Sequence, residues 1–249
     1  MQKRKIGFYL IIGVLISLIV FFSYKIFLIL SDKNRSIDEI KKIKEQVVSV
    51  IETKIEKIDD DGNIKEVTEP QLILDFPKLR SINSDTVAWI SIPNTNIDYP
   101  IVKTNNNSFY LDHSFYKESN INGWIFESAD NSSSFNDQNT VIFGHNTNSH
   151  TMFSDLKDIY NGILGTNIVV RVYLENEVIN YKVFSVYLEK PSDTSNISKY
   201  INVDMLKNMQ EKSKLKIDAN FSDDSKIITL STCNNVTNDR LVLHAIRGQ

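Results

Sequence analysis

Cysteine is almost absent from this sequence, which contains a single one, Cys233, in 249 residues. One cysteine cannot form a disulfide framework within a chain, and the paired cysteine and histidine spacing of a structural zinc site is missing as well. The eight glycines form neither a phosphate-binding loop nor a dinucleotide-binding fingerprint. We therefore predict no metal site and no cofactor.

A strong charge of either sign is also lacking, since 28 basic and 31 acidic residues give a net charge of -3. Domains that bind nucleic acid usually carry a pronounced basic excess on one face. The balance of charge gives no reason to expect a nucleic-acid partner, and we predict none.

Charge is missing altogether from residues 6–24, which are mostly apolar and follow an amino end with three basic residues in its first five. After Lys25 the apolar sequence continues to residue 30. A helix rises about 1.5 Å per residue, so this segment is long enough to cross a hydrocarbon core of roughly 30 Å. We predict a membrane anchor.

A cleaved signal peptide is the alternative interpretation of this segment. Its apolar part usually has about 7 to 15 residues and ends in a small-x-small cleavage site, which residues 23–27 do not offer. We favour an uncleaved transmembrane anchor at residues 6–30, with residues 1–5 as a cytoplasmic tail, because positive charge stays on the cytoplasmic side. The protein then crosses the cell membrane once, and everything from residue 31 onward is extracellular.

Residues 31–75 are predicted to form an extracytoplasmic helix and a linker. Ser36 and Glu39 fit a capping box, and isoleucine and valine recur at spacings of three and four as far as Ile58. The polar turn at residues 59–63 would end this helix.

From residue 76 to residue 249 short apolar runs alternate with polar turns, a pattern typical of one mainly β domain. Eight strand candidates occur, at residues 87–92, 97–103, 123–127, 140–144, 168–174, 178–190, 226–230 and 241–246. A short helix candidate at residues 77–82 precedes them, and two further helix candidates interrupt them, at residues 152–160 and 198–212. We predict a β-barrel of about eight strands, with the last helix in the long loop before the cysteine strand.

Cys233 follows an apolar strand-like run, and Arg240 opens the next one after a short polar loop. A thiol attacks as its thiolate, so a working cysteine needs a cationic neighbour or a histidine base and, for acyl transfer, a donor to the oxyanion. Arg240 carries five N–H donors and could stabilise an oxyanion from across a strand pair. The alternative is that the two residues are a small buried hydrophobe and a surface charge.

Four histidines could supply the base, and the sequence around His145 distinguishes it. A buried-strand pattern stops in Gly144 and His145, where glycine lets backbones approach closely and the histidine enters a loop. Spacing alone does not choose His145 over His113, His150 or His244. The apolar alternation around His244 favours a packed strand residue.

Residues 229–233, Thr-Leu-Ser-Thr-Cys, resemble the Thr-Leu-x-Thr-Cys signature of sortases, the cysteine transpeptidases on the surface of Gram-positive bacteria. The sequence around His145 is similar to the segment that carries their histidine, and Arg240 matches their essential arginine. The likeness covers roughly residues 76–246. It implies a sortase-like barrel in which Cys233 is the nucleophile, His145 the acid and base, and Arg240 the residue that stabilises the oxyanion.

The long helical excursion at residues 191–225 makes the chain most similar to class B sortases, in which it would form one wall of a groove. By that resemblance Asn107, Leu111 and Ser231 are candidate substrate-binding residues. An acidic residue that follows the cysteine in some class B members is absent, because Asn234 stands there. No acidic catalytic residue is assigned.

The activity implied by the resemblance is transpeptidation. Cys233 would cleave a carboxyl-terminal sorting signal of a secreted protein after its threonine, form a thioester, and pass the protein to an amine of peptidoglycan, with His145 moving the protons. The alternatives are a pilin-polymerising sortase, a thiol hydrolase, and a membrane-tethered binding module without chemistry. Retention of Cys233, His145 and Arg240 argues against the last, and no lid of the pilin-linking kind precedes residue 76.

Overall fold

The computed structural model describes residues 2–58, 64–147, 150–192, 197–233 and 239–248, without the side chains of residues 2–6, 29, 52–58, 64–71 and 233. The predicted turn at residues 59–63 lies outside the described residues. The helices are α1 Gln2–Val47, α2 Phe76–Ile82, α3 Leu156–Tyr160 and α4 Val203–Lys212. The strands are β1 Val48–Ile58, β2 Ile64–Leu74, β3 Thr86–Ser91, β4 Asp98–Val102, β5 Phe126–Glu127, β6 Asn139–Phe143, β7 Val169–Tyr173, β8 Val178–Glu189, β9 Ile227–Cys233 and β10 Arg240–Arg247.

Strands β3 to β10 close into a barrel in the order β10-β8-β7-β3-β4-β5-β6-β9. Neighbouring strands are antiparallel except β4 with β5 and β6 with β9, which are parallel. Fully buried apolar side chains such as Trp89, Ile142 and Leu230 form the core. This architecture confirms the predicted mainly β barrel of about eight strands. The prediction was possible because a strand that buries one face alternates apolar and polar residues.

Helices α3 and α4 begin later than predicted, and both differences have local causes. Met152 has a backbone φ of +54°, outside the right-handed helical region, so α3 starts only at Leu156. The side chain of Asn202 accepts a hydrogen bond from the backbone N–H of Met205 at 2.9 Å. This cap starts α4 at Val203.

The amino-terminal region corrects one prediction. The helix expected over residues 36–58 ends at Val47, and Val48–Ile58 is strand β1, which pairs with β2 in a separate two-stranded sheet. Six of the eleven residues of β1 are valine, isoleucine or threonine, whose branched β-carbons favour strand over helix. Most of the expected linker is therefore strand β2.

Helix α1 has an exposed apolar first part and a second part that packs on the barrel domain. Among the described residues it is the one helix long and apolar enough to cross a membrane, and its most apolar stretch is not buried in the chain. Further along, Ile43 and Val47 are buried in the core. Ser36 Oγ accepts hydrogen bonds from the side-chain amides of Asn120 and Asn122, each at 3.1 Å. The candidate span therefore continues directly into a helix that is docked on the domain.

The long excursion before β9 covers the outer face of the barrel. Leu206 and Met209 of α4 are buried in a cluster with Ile227 of β9 and Val242 of β10. The predicted helix of the excursion thus packs on the two strands that end at Cys233 and begin at Arg240.

Candidate active site

Three adjacent strands bring the predicted residues to one end of the barrel. Arg240 pairs directly with Cys233 in the antiparallel ladder of β9 and β10. In the parallel ladder of β6 and β9, Phe143 pairs with Ser231, so His145 comes level with Cys233 two residues further on. Because adjacent strands lie about 4.8 Å apart, the three backbone positions fall within about 10 Å.

These positions open onto a groove of about 370 Å³. The described residues that line it are Asn107, Leu111, Phe126, Phe143, Gly144, His145, Ile197, Ser231, Thr232 and Arg240. All five described residues that were predicted for the site are among them. The side chain of Cys233 and the whole of Asn234 lie outside the described residues, although the backbone of Cys233 lies between Thr232 and, across the ladder, Arg240.

A backbone carbonyl orients His145. The Nε2 atom of its half-buried ring lies 2.8 Å from the carbonyl oxygen of Leu111. A carbonyl oxygen only accepts, so Nε2 carries a hydrogen in this contact. The other ring nitrogen, Nδ1, is then the one left to exchange a proton with a reacting group in the groove.

The close backbone approach expected at Gly144 is present. A β-carbon at this position would lie 2.7 Å from Cδ2 of Phe153, whose ring covers the glycine. The backbone N–H of Phe153 donates to the carbonyl oxygen of His145 at 3.0 Å, and that of Gly144 donates to Ser231 at 3.2 Å. The chain therefore folds back over Gly144 and holds His145 at the end of β6.

Arg240 presents a hydrogen-bond donor that the described residues do not use. Its Nη1 atom is buried and has no hydrogen-bond partner among them, and the same holds for Oγ1 of Thr232. Buried polar atoms are usually paired, because leaving them unpaired costs free energy. An orphaned guanidinium N–H beside the groove suits a site whose acceptor arrives with the ligand. No carboxylate stands in the described lining.

The candidate substrate contacts differ in how they are held. Leu111 is 44% exposed, so it belongs to the groove surface and not to the core. Ser231 is buried on β9. Asn107 is exposed, and its Oδ1 accepts a hydrogen bond from the backbone N–H of Ala129 at 2.7 Å. The loop after β5 thereby fixes the direction of the Asn107 side chain.

A buried ion pair supports that loop. Lys103 Nζ lies 3.3 Å from Oε1 of the fully buried Glu127 and donates to the carbonyl oxygen of Asn131 at 2.7 Å. Removal from water raises the pKa of Glu127 to about 7, against the opposing effect of Lys103. The ammonium group ties the loop to the barrel beneath Asn107.

The other three histidines do not line the groove. His113 is within hydrogen-bond distance of its own loop, and His244 is fully buried, which agrees with its prediction as a packed strand residue. His150 lies with Asp155 and Asp158 in a cluster whose ligand atoms are within 4.8 Å of one another, the arrangement in the described part that could hold a metal ion. It has no member in the groove lining.

Five described lining residues were not predicted as site residues: Phe126, Phe143, Gly144, Ile197 and Thr232. Phe143 ends β6 two residues before His145, so period-two alternation could have found it. Phe126 and Ile197 come from elements that no local pattern connects with Cys233. Only the closed barrel brings them to the groove.

Comparison with known proteins decides the family. The family model of the sortase domain matches residues 90–247. The chain belongs to the sortase family. Its members are cysteine transpeptidases, so the predicted resemblance and enzyme class are confirmed.

Class B sortases are among the relatives of this sortase. Sortase B of Listeria monocytogenes is 33% identical over 166 residues, which are 62% of this chain and 65% of that protein. The X-ray structure of Clostridium perfringens sortase B matches with a TM-score of 0.66 and 33% identity, over 70% of this chain and all of that chain. A complex of Staphylococcus aureus sortase B with a substrate matches with a TM-score of 0.63 and 28% identity, over 70% and 84%.

Proposed function

We propose that this sortase is a membrane-anchored transpeptidase that cleaves a carboxyl-terminal sorting signal after threonine and transfers the protein to a peptidoglycan amine. The observation that carries the proposal is the pairing of β6, β9 and β10 beside one groove, which brings the backbone of Cys233 level with Arg240 and with His145, two residues beyond β6. The structure of the Staphylococcus aureus relative in complex with a substrate supports substrate binding by this sortase as well.

The first step forms a thioester. The Cys233 thiolate attacks the carbonyl carbon of the threonine, and the carbonyl oxygen takes up the electron pair as an oxyanion. Arg240 donates to this oxyanion, a role supported by its buried Nη1 without a described acceptor. His145 protonates the leaving amine, the peptide C–N bond breaks, and the acyl group stays on sulfur.

The second step resolves the thioester. A peptidoglycan amine enters where the cleaved fragment left, and His145 removes its proton as it attacks the acyl carbon. A new amide bond forms and Cys233 leaves as thiolate. The contact of Nε2 with Leu111 supports Nδ1 as the atom that moves both protons, because Nε2 is already engaged.

Asn107, Leu111 and Ser231 contact the sorting signal. The groove lining combines apolar side chains with amide, hydroxyl and guanidinium groups, which suits an extended peptide of mixed polarity. Ile197, from the excursion before β9, is part of its wall.

Residues 6–30 form the transmembrane anchor, residues 1–5 a cytoplasmic tail, residues 31–75 the extracytoplasmic helix and hairpin, and residues 76–249 the catalytic domain. The exposed apolar part of α1 supports the anchor, and the basic amino end supports a cytoplasmic amino terminus. Secreted proteins that carry a sorting signal are then the partners on the outer face.

The test is incubation of the full chain in detergent with a library of fluorogenic sorting-signal peptides, with and without an amine acceptor. We expect cleavage after threonine and an acceptor-linked product, both abolished in Cys233→Ala. Hydrolysis without transfer to any amine would favour the thiol hydrolase, and transfer only to the lysine of a pilin peptide would favour the pilin polymerase. Absence of all cleavage would favour a binding module.

A further inference from the structure

Buried hydrogen bonds cross four neighbouring barrel strands below the groove. His244 of β10 has Nδ1 at 2.8 Å from Thr229 Oγ1 of β9 and Nε2 at 3.3 Å from the Tyr187 hydroxyl of β8. Thr229 Oγ1 in turn donates to Asn139 Oδ1 of β6 at 2.7 Å. All four side chains are buried, and we call them the cross-strand chain.

The hydrogen bonds of the cross-strand chain all donate in the same direction, from Tyr187 toward Asn139. The single hydroxyl hydrogen of Thr229 goes to Asn139, so Thr229 Oγ1 must accept from His244 Nδ1–H. The neutral ring then has a bare Nε2, which accepts from the hydroxyl of Tyr187. Every member therefore donates to the next without conflict.

His244 stays neutral in this environment. Burial lowers the pKa of its ring to about 3, and the nearby cation of Lys212 acts in the same direction. A neutral imidazole offers one donor and one acceptor, and the cross-strand chain requires one of each at His244.

The cross-strand chain lies on the strands that carry the site. Thr229 and His244 pair in the ladder in which Cys233 and Arg240 also pair, four residues further along. A slip of one residue between the strands would separate both pairs together and would leave the buried polar atoms of the chain unmatched. The chain therefore opposes the movement that would misalign the site.

The same chain reaches the wall of the groove. The side-chain amide of Asn139 donates to the carbonyl oxygen of Ser198 at 2.9 Å, and its backbone N–H donates to that of Lys199 at 3.2 Å. These residues directly follow Ile197, which lines the groove. The Asn139 end of the cross-strand chain thus holds the segment of the groove wall that the substrate would touch.

We propose that His244 is a positioning residue of this sortase, which acts through Thr229 and Asn139 to hold the three strands of the site in register and the groove wall in place. The kinetic part of this proposal rests on the proposed transpeptidase function. The structural part concerns the surroundings of Cys233 and needs no substrate.

Two substitutions at Thr229 distinguish the effect of its hydroxyl from the effect of its packing. Both are made in the full chain, which is tested in detergent. Thr229→Val keeps the shape and removes the hydroxyl, and we expect kcat/KM to fall by about tenfold to a hundredfold, mainly through kcat. Thr229→Ser keeps the hydroxyl and should stay within about twofold of the wild type. Tyr187→Phe removes the hydroxyl that donates to His244 at the outer end of the cross-strand chain, and it is compared as a second variant that loses a buried hydroxyl.

The second readout is the pH dependence of Cys233 alkylation by iodoacetamide, measured where circular dichroism shows each variant folded. We expect Thr229→Val to shift this profile and Thr229→Ser to keep it. If Thr229→Val does not fold, His244→Phe is compared with His244→Asn, which keeps a donor toward Thr229. A folded variant without the hydroxyl that keeps both kcat/KM and the alkylation profile overturns the proposal, as does a serine variant as impaired as valine. A hydroxyl-dependent profile in a protein that cleaves no peptide supports the positioning role and refutes the transpeptidase.

Discussion

Arg240 is the residue whose environment in the groove is least explained by the fold alone. Its buried Nη1 finds no acceptor among the described residues, and we assign that acceptor to the reaction. Arg240→Lys keeps the positive charge but loses the planar fork. We expect kcat to fall by about a hundredfold to a thousandfold, which steady-state assays with fluorogenic peptides would measure.

The matched control is Arg247→Lys on the same strand, where the arginine pairs with exposed Glu177. That variant should keep wild-type kcat. Equal kcat for both lysine variants would mean that charge alone is sufficient at residue 240.

Gly144 tests whether packing after His145 holds the site. Gly144→Ala places a methyl group against the ring of Phe153, and overpacking of this kind costs about 1 to 3 kcal/mol. We expect a lower melting temperature and a lower kcat, since the strain falls directly beside His145. The double variant Gly144→Ala, Phe153→Leu frees the space and should recover part of both. A single variant equal to the wild type would contradict the account.

Glu127 gives the stability a specific pH dependence. Its pKa is about 7 in the folded protein against a usual value of 4.5, so the native state holds the proton more tightly than the unfolded chain. The tighter binding of this proton adds about 3 kcal/mol to the free energy of unfolding below pH 4.5. This added stability is lost as the pH rises through 7.

The change that isolates this contribution is Glu127→Gln in the fragment that starts at residue 31. Urea unfolding of both proteins should show the wild type losing about 3 kcal/mol relative to the variant between about pH 4 and about pH 8. A difference that does not change with pH would refute the assignment to Glu127.

At the scale of elements, the barrel strands could be predicted because each buries one face and therefore alternates. His145, Cys233 and Arg240 could be singled out as site candidates because their local sequences are distinctive, and their catalytic roles stay predictions. Which strands are neighbours is not a local property, so the residues that β5 and the excursion contribute, Phe126 and Ile197, were out of reach.

The amino-terminal hairpin of β1 and β2 is a second case in which a local sequence pattern did not reveal the pairing of strands. The isoleucines and valines of β1 recur at spacings that fit a helix, yet they end in a ladder with β2. The deciding contribution comes from a partner strand, and a periodicity of three and four carries no information about it.

The docking of α1 yields a prediction at this scale. Ser36→Ala removes the acceptor shared by the side-chain amides of Asn120 and Asn122, and Asn120 is buried. We expect the free energy of unfolding to fall by about 1 to 3 kcal/mol, measured by urea unfolding of the same fragment. Ser31→Ala, at an exposed position of the same helix, should change it little. If the two alanine variants are equally stable, this contact does not fix the helix.

For the whole molecule, the continuity of α1 joins the proposed anchor to the barrel. Residues 31–47 extend about 25 Å beyond the span, and this length is docked on the catalytic domain. If residues 6–30 span the membrane as proposed, the barrel domain is therefore expected close to its extracellular face.

The single cysteine allows a direct test of this topology. In intact cells a membrane-impermeant maleimide should label Cys233 of the wild-type protein and should fail to label the Cys233→Ser variant, which has no cysteine. Adding Gln2→Cys to the serine variant should give labelling only after permeabilisation. Labelling of Gln2→Cys in intact cells would reverse the proposed orientation.

The central claim is that Cys233 carries the acyl group between two amide bonds, and the mass of the intact protein tests it most directly. After brief incubation of the full chain with an intact sorting-signal peptide that it cleaves and no acceptor, we predict an added mass equal to that of the peptide up to its threonine less one water. Hydroxylamine should remove it, and it should be absent from Cys233→Ala. Peptide cleavage by wild-type protein without this adduct, or an adduct that persists in Cys233→Ala, would contradict the account.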